Sequence, residues 1–129
     1  MYCFDTNILV DILRGNKELK EKIVGIDKDA SIFITPISLC ELYKGVFLHS
    51  KSEEKAKQVD EVVSLFGLLD FDLDSCKVFG ETYRNLKVSG KLIPESDLMI
   101  AAITKANDLI LITKDKEHFV NTGVRIEAW

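Results

Sequence analysis

Three cysteines, Cys3, Cys40 and Cys76, are all that this sequence of 129 residues contains. They are odd in number, far apart, and in none of the short spacings that hold a metal. This excludes a disulfide framework and points to free thiols in a reducing cytoplasm. Histidine is scarcer still. His49 falls in a polar loop and His118 just before the expected core residue Phe119, so they form no metal pair and a zinc site lacks ligands. No apolar run approaches the roughly 20 residues that a membrane-spanning helix needs. An export signal is not expected, because Asp5 and Asp11 interrupt the stretch that would have to be unbroken and apolar. There is no internal repeat, low-complexity tract or linker, and the length suits one domain over residues 1–129. A basic excess is missing too: 17 Lys and Arg stand against 21 Asp and Glu, a net charge of −4. Alone, that disfavours nucleic-acid binding, unless divalent cations held by carboxylates restore positive potential locally.

What the chain does have is a repeated switch of apolar period. "YCF", "SIFIT", "LLDF", "LILIT" and "VRIEAW" read as strands; the second and fourth are continuous and β-branched, as in strands buried on both faces. Helical periodicity covers about 6–14, 17–25, 36–49, 52–66, 73–89 and 95–107. Pro36 and Pro94 suit first helical turns, and Gly15 and Gly90 suit helix C-termini. Alternating strands and helices predict an α/β fold, a three-layer α/β/α sandwich with a mostly parallel central sheet. In such sheets, sites form beyond the carboxyl ends of the strands.

Four acids are delivered there. Asp5 follows the first strand with Thr6 and Asn7, and any of the three could cap the helix that begins at once. Glu41 lies about one and a half turns into the helix after "SIFIT". Gly45, one turn further, either leaves space beside it or allows close helix packing. Asp97 sits in the first turn of "PESDLMIAAITKA", where a helix dipole favours an acid, yet the six apolar residues that follow make this helix buried nearly all round. Asp115 follows "LILIT" with Thr113 and Lys114, and could equally be a turn or cap residue. Gathered at one sheet edge, the four would repel one another unless a cation intervened. Mg²⁺ or Mn²⁺ is the natural occupant of an all-oxygen set.

"FDTNILVDIL", "ISLCELYKG", "ESDLMIAA" and "LITKDKEHF", in this order and over essentially the whole chain, resemble the PIN-domain nucleases, above all the VapC toxins of toxin–antitoxin pairs. The resemblance implies a metal-dependent ribonuclease with a PIN-like fold, in which Asp5, Glu41, Asp97 and Asp115 are the four acids that act at one or two Mg²⁺ or Mn²⁺ ions. Thr113 and Asn7 match the supporting polar residues. Many such chains carry Asn where this one has Asp115, so the site here is fully acidic. Hydrolysis would leave a 5′-phosphate and a 3′-hydroxyl. Asp5 is then expected to face the metal, with Thr6 or Asn7 left to cap the helix.

Carboxylates offer no acyl-transfer nucleophile, and no Ser–His or Cys–His arrangement is evident. Held metal would instead acidify water and neutralise charge on a phosphodiester. Arg14, Lys44, Lys87, Lys91, Lys114 and Lys116, near the motifs, are the candidate contacts to RNA phosphates. The resemblance further implies a small antitoxin whose tail occupies the acidic site, and a homodimer that draws on the 37–66 helices. A housekeeping RNA-processing nuclease and a non-catalytic PIN-like interaction module are the alternatives. Phosphoryl chemistry on Asp5 is a weaker one, since the second acid that phosphatases of this type place two residues on is Asn7 here.

Overall fold

Each β-rich run becomes a strand of one five-stranded sheet in the computed structural model, which describes residues 1–129. The order along the chain is β1 (Tyr2–Phe4), α1 (Thr6–Leu13), α2 (Lys17–Val24), β2 (Ile32–Ile34), α3 (Pro36–Phe47), α4 (Ser52–Val63), β3 (Gly67–Leu68), α5 (Leu73–Val88), α6 (Glu95–Ala106), β4 (Ile110–Thr113), α7 (Lys116–Phe119) and β5 (Arg125–Ala128). A short 3-10 turn, Val120–Thr122, joins the last two. The strands lie in the order β3-β2-β1-β4-β5 and every pairing is parallel. The chain therefore builds outward from β1 on one side, then returns to add β4 on the other. That reversal leaves a crevice between β1 and β4 at their carboxyl ends, which is where open α/β sheets place their sites.

Strand alternation divides the core into two layers. Phe4, Ile34 and Ile112 face Ile8 and Leu9 of α1, Leu19 of α2, Leu42 and Val46 of α3 and Val59 of α4. Cys3 and Leu111 point the other way, towards Ile100, Ala101 and Ile103 of α6 and Phe119 of α7. Helix α5 packs along α6. The result is the α/β/α sandwich that the sequence predicts. Helix α6 is buried from Ile100 to Thr104, as its apolar run requires. Thr104 is tolerated there because its hydroxyl donates to the Ile100 carbonyl at 2.7 Å. The three cysteines are free, Cys3 buried and the other two exposed.

Three expectations shift. The third strand is Gly67–Leu68 rather than "LLDF", with one further bond from Leu69 N to Ile34 O. Gly67 pairs with Phe33, whose ring lies 2.6 Å from where a Cβ on residue 67 would sit, so any larger residue there would have to displace the ring. Pro94 stands just before α6, not inside its first turn. At φ −52° and ψ 140° it is the N-cap, and its missing N–H is no loss at that position. In β2, only Ile34 is fully buried; Ile32 and Phe33 are half-covered, because β3 beyond them is two residues long. Gly15 and Gly90 do take left-handed conformations after α1 and α5, with φ of 75° and 69°.

Candidate active site

Residue 5 is the first position after β1, and Thr113 is the last of β4, its parallel neighbour. The pairing of Phe4 with Ile112 and the bond from Asp5 N to Ile112 O carry both to the same level at the sheet's carboxyl edge. There Asp5 is 5% exposed. Its Oδ1 accepts from Thr6 N at 2.8 Å, and its Oδ2 accepts from the Thr113 hydroxyl at 2.8 Å. Asp5 is thus the N-cap of α1 itself. The expectation that Thr6 or Asn7 would cap, leaving Asp5 free of the helix backbone, is overturned. The reason is geometric: a carboxylate has two oxygens, and one can cap while the other faces the site.

Thr6 and Asn7, in the first turn of α1, turn outward to neighbouring elements. Thr6 Oγ1 lies 2.8 Å from Glu41 Oε1 and 2.9 Å from Ser38 Oγ. Its single proton goes to the carboxylate, which leaves Ser38 to donate to Thr6. Ser38 is buried in the first turn of α3, whose N-cap Thr35 accepts from Ser38 N at 3.1 Å. Asn7 Nδ2 donates to Thr113 Oγ1 at 3.2 Å, and Asp115 N donates to the same oxygen at 3.1 Å. The Thr113 hydroxyl therefore accepts twice and donates once, its full capacity. It joins α1, β4 and the start of α7 at Asp5.

Burial pushes the Asp5 carboxyl up to about 6, and the negative charges of Asp97 and Glu41 push the same way; the bonds from Thr113 and Thr6 oppose them. No cationic side chain is paired with Asp5. Asp97 lies half-buried in the first turn of α6, and its Oδ2 is 2.7 Å from His118 Nε2. Asp115 follows Thr113 but is exposed, and its carboxylate makes no capping bond to α7. The structure thus joins Asp5, Glu41 and Asp97 by contacts or by field, and Asp115 through its backbone only.

This donor set suits a hard divalent cation: it is all oxygen, and its central carboxylate is buried without a counter-charge. The acids share an edge without closing into a cage, for no three Asp, Glu, His or Cys side chains form a ready ligand group. Gly45 has nothing within 4 Å of an added Cβ. This excludes close helix packing at Gly45, but the groove of about 290 Å³ that it borders is lined by Val10, Arg14, Leu42 and Val46 and not by Glu41, so the space lies away from the carboxylate.

The PIN domain family matches residues 2–124. This chain belongs to the PIN-domain family. It is 30% identical to Ribonuclease VapC2 of Rickettsia felis over 137 residues, covering 100% of this chain and 98% of that one. It is 27% identical to Ribonuclease VapC2 of Haemophilus influenzae over 130 residues, with 99% and 97% covered. The crystal structure of VapBC2 from Rickettsia felis bound to a DNA fragment from their promoter contains a similar chain, with a TM-score of 0.94, 27% identity and coverage of 99% and 98%.

Two parts of this PIN domain escaped the sequence. Ser38 and Thr35 tie Thr6, the partner of Glu41, to the N-terminus of α3, and Pro36 after Thr35 is a visible helix-start signal. From the sequence His118 reads as a neighbour of the core, which holds for Phe119, yet its own ring turns to Asp97. Among the candidate RNA contacts, Lys114 is paired with Asp11 at 2.8 Å and Lys87 lies 6.0 Å from the Tyr83 ring centre. Arg14, Lys44, Lys91 and Lys116 are exposed.

Proposed function

We propose that this PIN domain is a divalent-cation-dependent endoribonuclease, the toxin of a toxin–antitoxin pair. The observation that carries it is the buried Asp5 carboxylate, without a cationic partner and in the field of Asp97 and Glu41. The names of the two relatives as ribonucleases, and the VapBC complex among similar structures, support the activity and an antitoxin partner. Asp5 and Asp97 are the first choices for direct metal ligands, with Glu41 and Asp115 completing the site directly or through water. Bound there, Mg²⁺ or Mn²⁺ supplies positive charge to an RNA phosphodiester as negative charge builds on it, and lowers the pKa of a neighbouring water.

The chain's own residues prepare that site. Thr6 N and the Thr113 hydroxyl hold Asp5 by one lone pair on each oxygen and leave the others available. Thr6 fixes Glu41 through Oε1 and leaves Oε2 free. Arg14, Lys44, Lys91 and Lys116 offer exposed charge for phosphates, and a salt-independent RNA affinity would remove them from this role. No helix is long and apolar enough to cross a membrane, and the reading places the protein in the cytoplasm. A homodimer would draw on α3 and α4, where Phe47 and Leu48 are 72% and 82% exposed. The test is sequencing of new 5′-phosphate RNA ends after induction, wild type beside Asp97→Asn, with Asp5→Asn assayed on RNA in vitro. Both variants should lose cleavage. Cleavage by Asp5→Asn at the wild-type rate in saturating Mg²⁺ sinks the assignment.

A further inference from the structure

We propose that His118 is a positioning residue: it holds Asp97 by one oxygen so that the other is presented to the cation site. The inference rests on the reading of Asp97 as a cation-holding acid. Each of the three acids that meet at the site has a donor fixing one oxygen. Asp5 has Thr6 N and Thr113, Glu41 has Thr6 Oγ1, and Asp97 has His118 Nε2 at 2.7 Å. For Asp97 the histidine is the sole side-chain partner. Asp115, whose carboxylate is exposed, has none.

The need is clearest at Asp97. Its side chain is 23% exposed and it stands among like charges, so repulsion from Asp5 and Glu41 favours turning away into water. The imidazole opposes this. With the carboxylate ionised, the ring nitrogen donates to Oδ2, and Oδ1 carries no competing bond. The ring is itself held in place. It sits on α7 directly before Phe119, which is buried against Ile100 and Ala101 of α6, the helix that bears Asp97. The imidazole also meets the Phe119 ring edge-on, with centroids 5.4 Å apart at 85°. The same short helix begins at Asp115, so His118 ties the third acid to the segment that carries the fourth.

Calorimetry of Mn²⁺ binding to the full chain, without RNA, tests this. His118→Ala should weaken Mn²⁺ binding about tenfold or more, and His118→Gln, whose amide can donate to the same oxygen, should stay within about threefold of wild type. RNA cleavage by His118→Ala should recover as Mn²⁺ is raised to saturation, because the site is misaligned rather than removed. Metal-free melting curves accompany each variant. Should His118→Ala fail to fold, His118→Asn takes its place, since its amide is too short to reach Asp97. Wild-type Mn²⁺ affinity in His118→Ala overturns the proposal. So does equal weakening in the Ala and Gln variants, which would mark a packing role. Asp97→Asn separates the two readings. If it binds Mn²⁺ as wild type does, the metal role of Asp97 fails; if it loses binding while His118→Ala does not, only the positioning role fails.

Discussion

In the metal-free protein, Asp5→Asn should stabilise the fold progressively more as pH rises. The Asp5 carboxyl is pushed from 3.8 up to about 6 in the folded chain. It holds its proton more tightly when folded, so its contribution to stability is fully present below pH 3.8 and is lost as pH rises through 6. At neutral pH the whole penalty is about 3 kcal/mol, with no large correction for solvent screening at a buried group. Between pH 5.0 and 7.5 the same two values imply a loss of about 1.4 kcal/mol. Asparagine does not titrate, so any fixed cost of fitting its amide between Thr6 N and Thr113 Oγ1 is the same at both pH values and cancels. Urea unfolding of wild type and Asp5→Asn in EDTA, at pH 5.0 and 7.5, reads the difference directly. The stability of the variant relative to wild type should rise by about 1.4 kcal/mol over that interval. Saturating Mn²⁺ should then raise the stability of the wild type but not of the variant, because ligand that binds only the native state stabilises it. A pH-independent difference between the two proteins would refute the reasoning, for it would mean that Asp5 is not held at a buried site among like charges.

Two further perturbations test the supports of the site and sheet. Thr113→Val removes the donor to Asp5 Oδ2 and the acceptor for Asn7 Nδ2 and Asp115 N, and should cost about 1–3 kcal/mol, more at pH 8 than at pH 5 because the charged carboxylate loses more. Urea unfolding at the two pH values checks it, and an unchanged midpoint would exclude Thr113 as the hub. Gly67→Ala places a Cβ 2.6 Å from the Phe33 ring, so the ring must swing out of its contact with Cys3 and Leu69; the cost should be about 1–3 kcal/mol, and Phe33→Leu in the same chain should recover part of it. A fully additive double variant would show that the two residues do not meet.

Much of the architecture was legible because its causes are local. The β-branched runs around Ile34 and Ile112 and the longer apolar run of α6 identify their elements from residue type and length. Asp5 and Asp115 could be assigned to one sheet edge because a parallel sheet sends the residues after every strand to the same side. Less was legible where one residue serves two partners. Capping logic treats Asp5 as either a cap or a ligand, yet two oxygens allow both. Lys114 reads as a free cation beside Asp115 until the fold brings Asp11 within 2.8 Å. The short strand Gly67–Leu68 starts ahead of the run "LLDF" because its pairing with β2, Phe33 with Gly67 and Ile34 with Leu68, decides it and not the local apolar pattern.

By itself, then, the sequence determined the order of strands and helices, the residues that leave each strand, and the acidic character of what they deliver. These follow from periodicity and covalent succession, which need no knowledge of distant contacts. The tertiary structure alone decided which oxygen of each acid is held and by what. Thr113 reaches Asp5 across 108 positions and His118 reaches Asp97 across 21. Such bonds exist only once β4 lies beside β1 and Phe119 has seated α7 on α6. Hydrogen bonds act over about 3 Å, so the packing of the core is what sets the geometry of the acids.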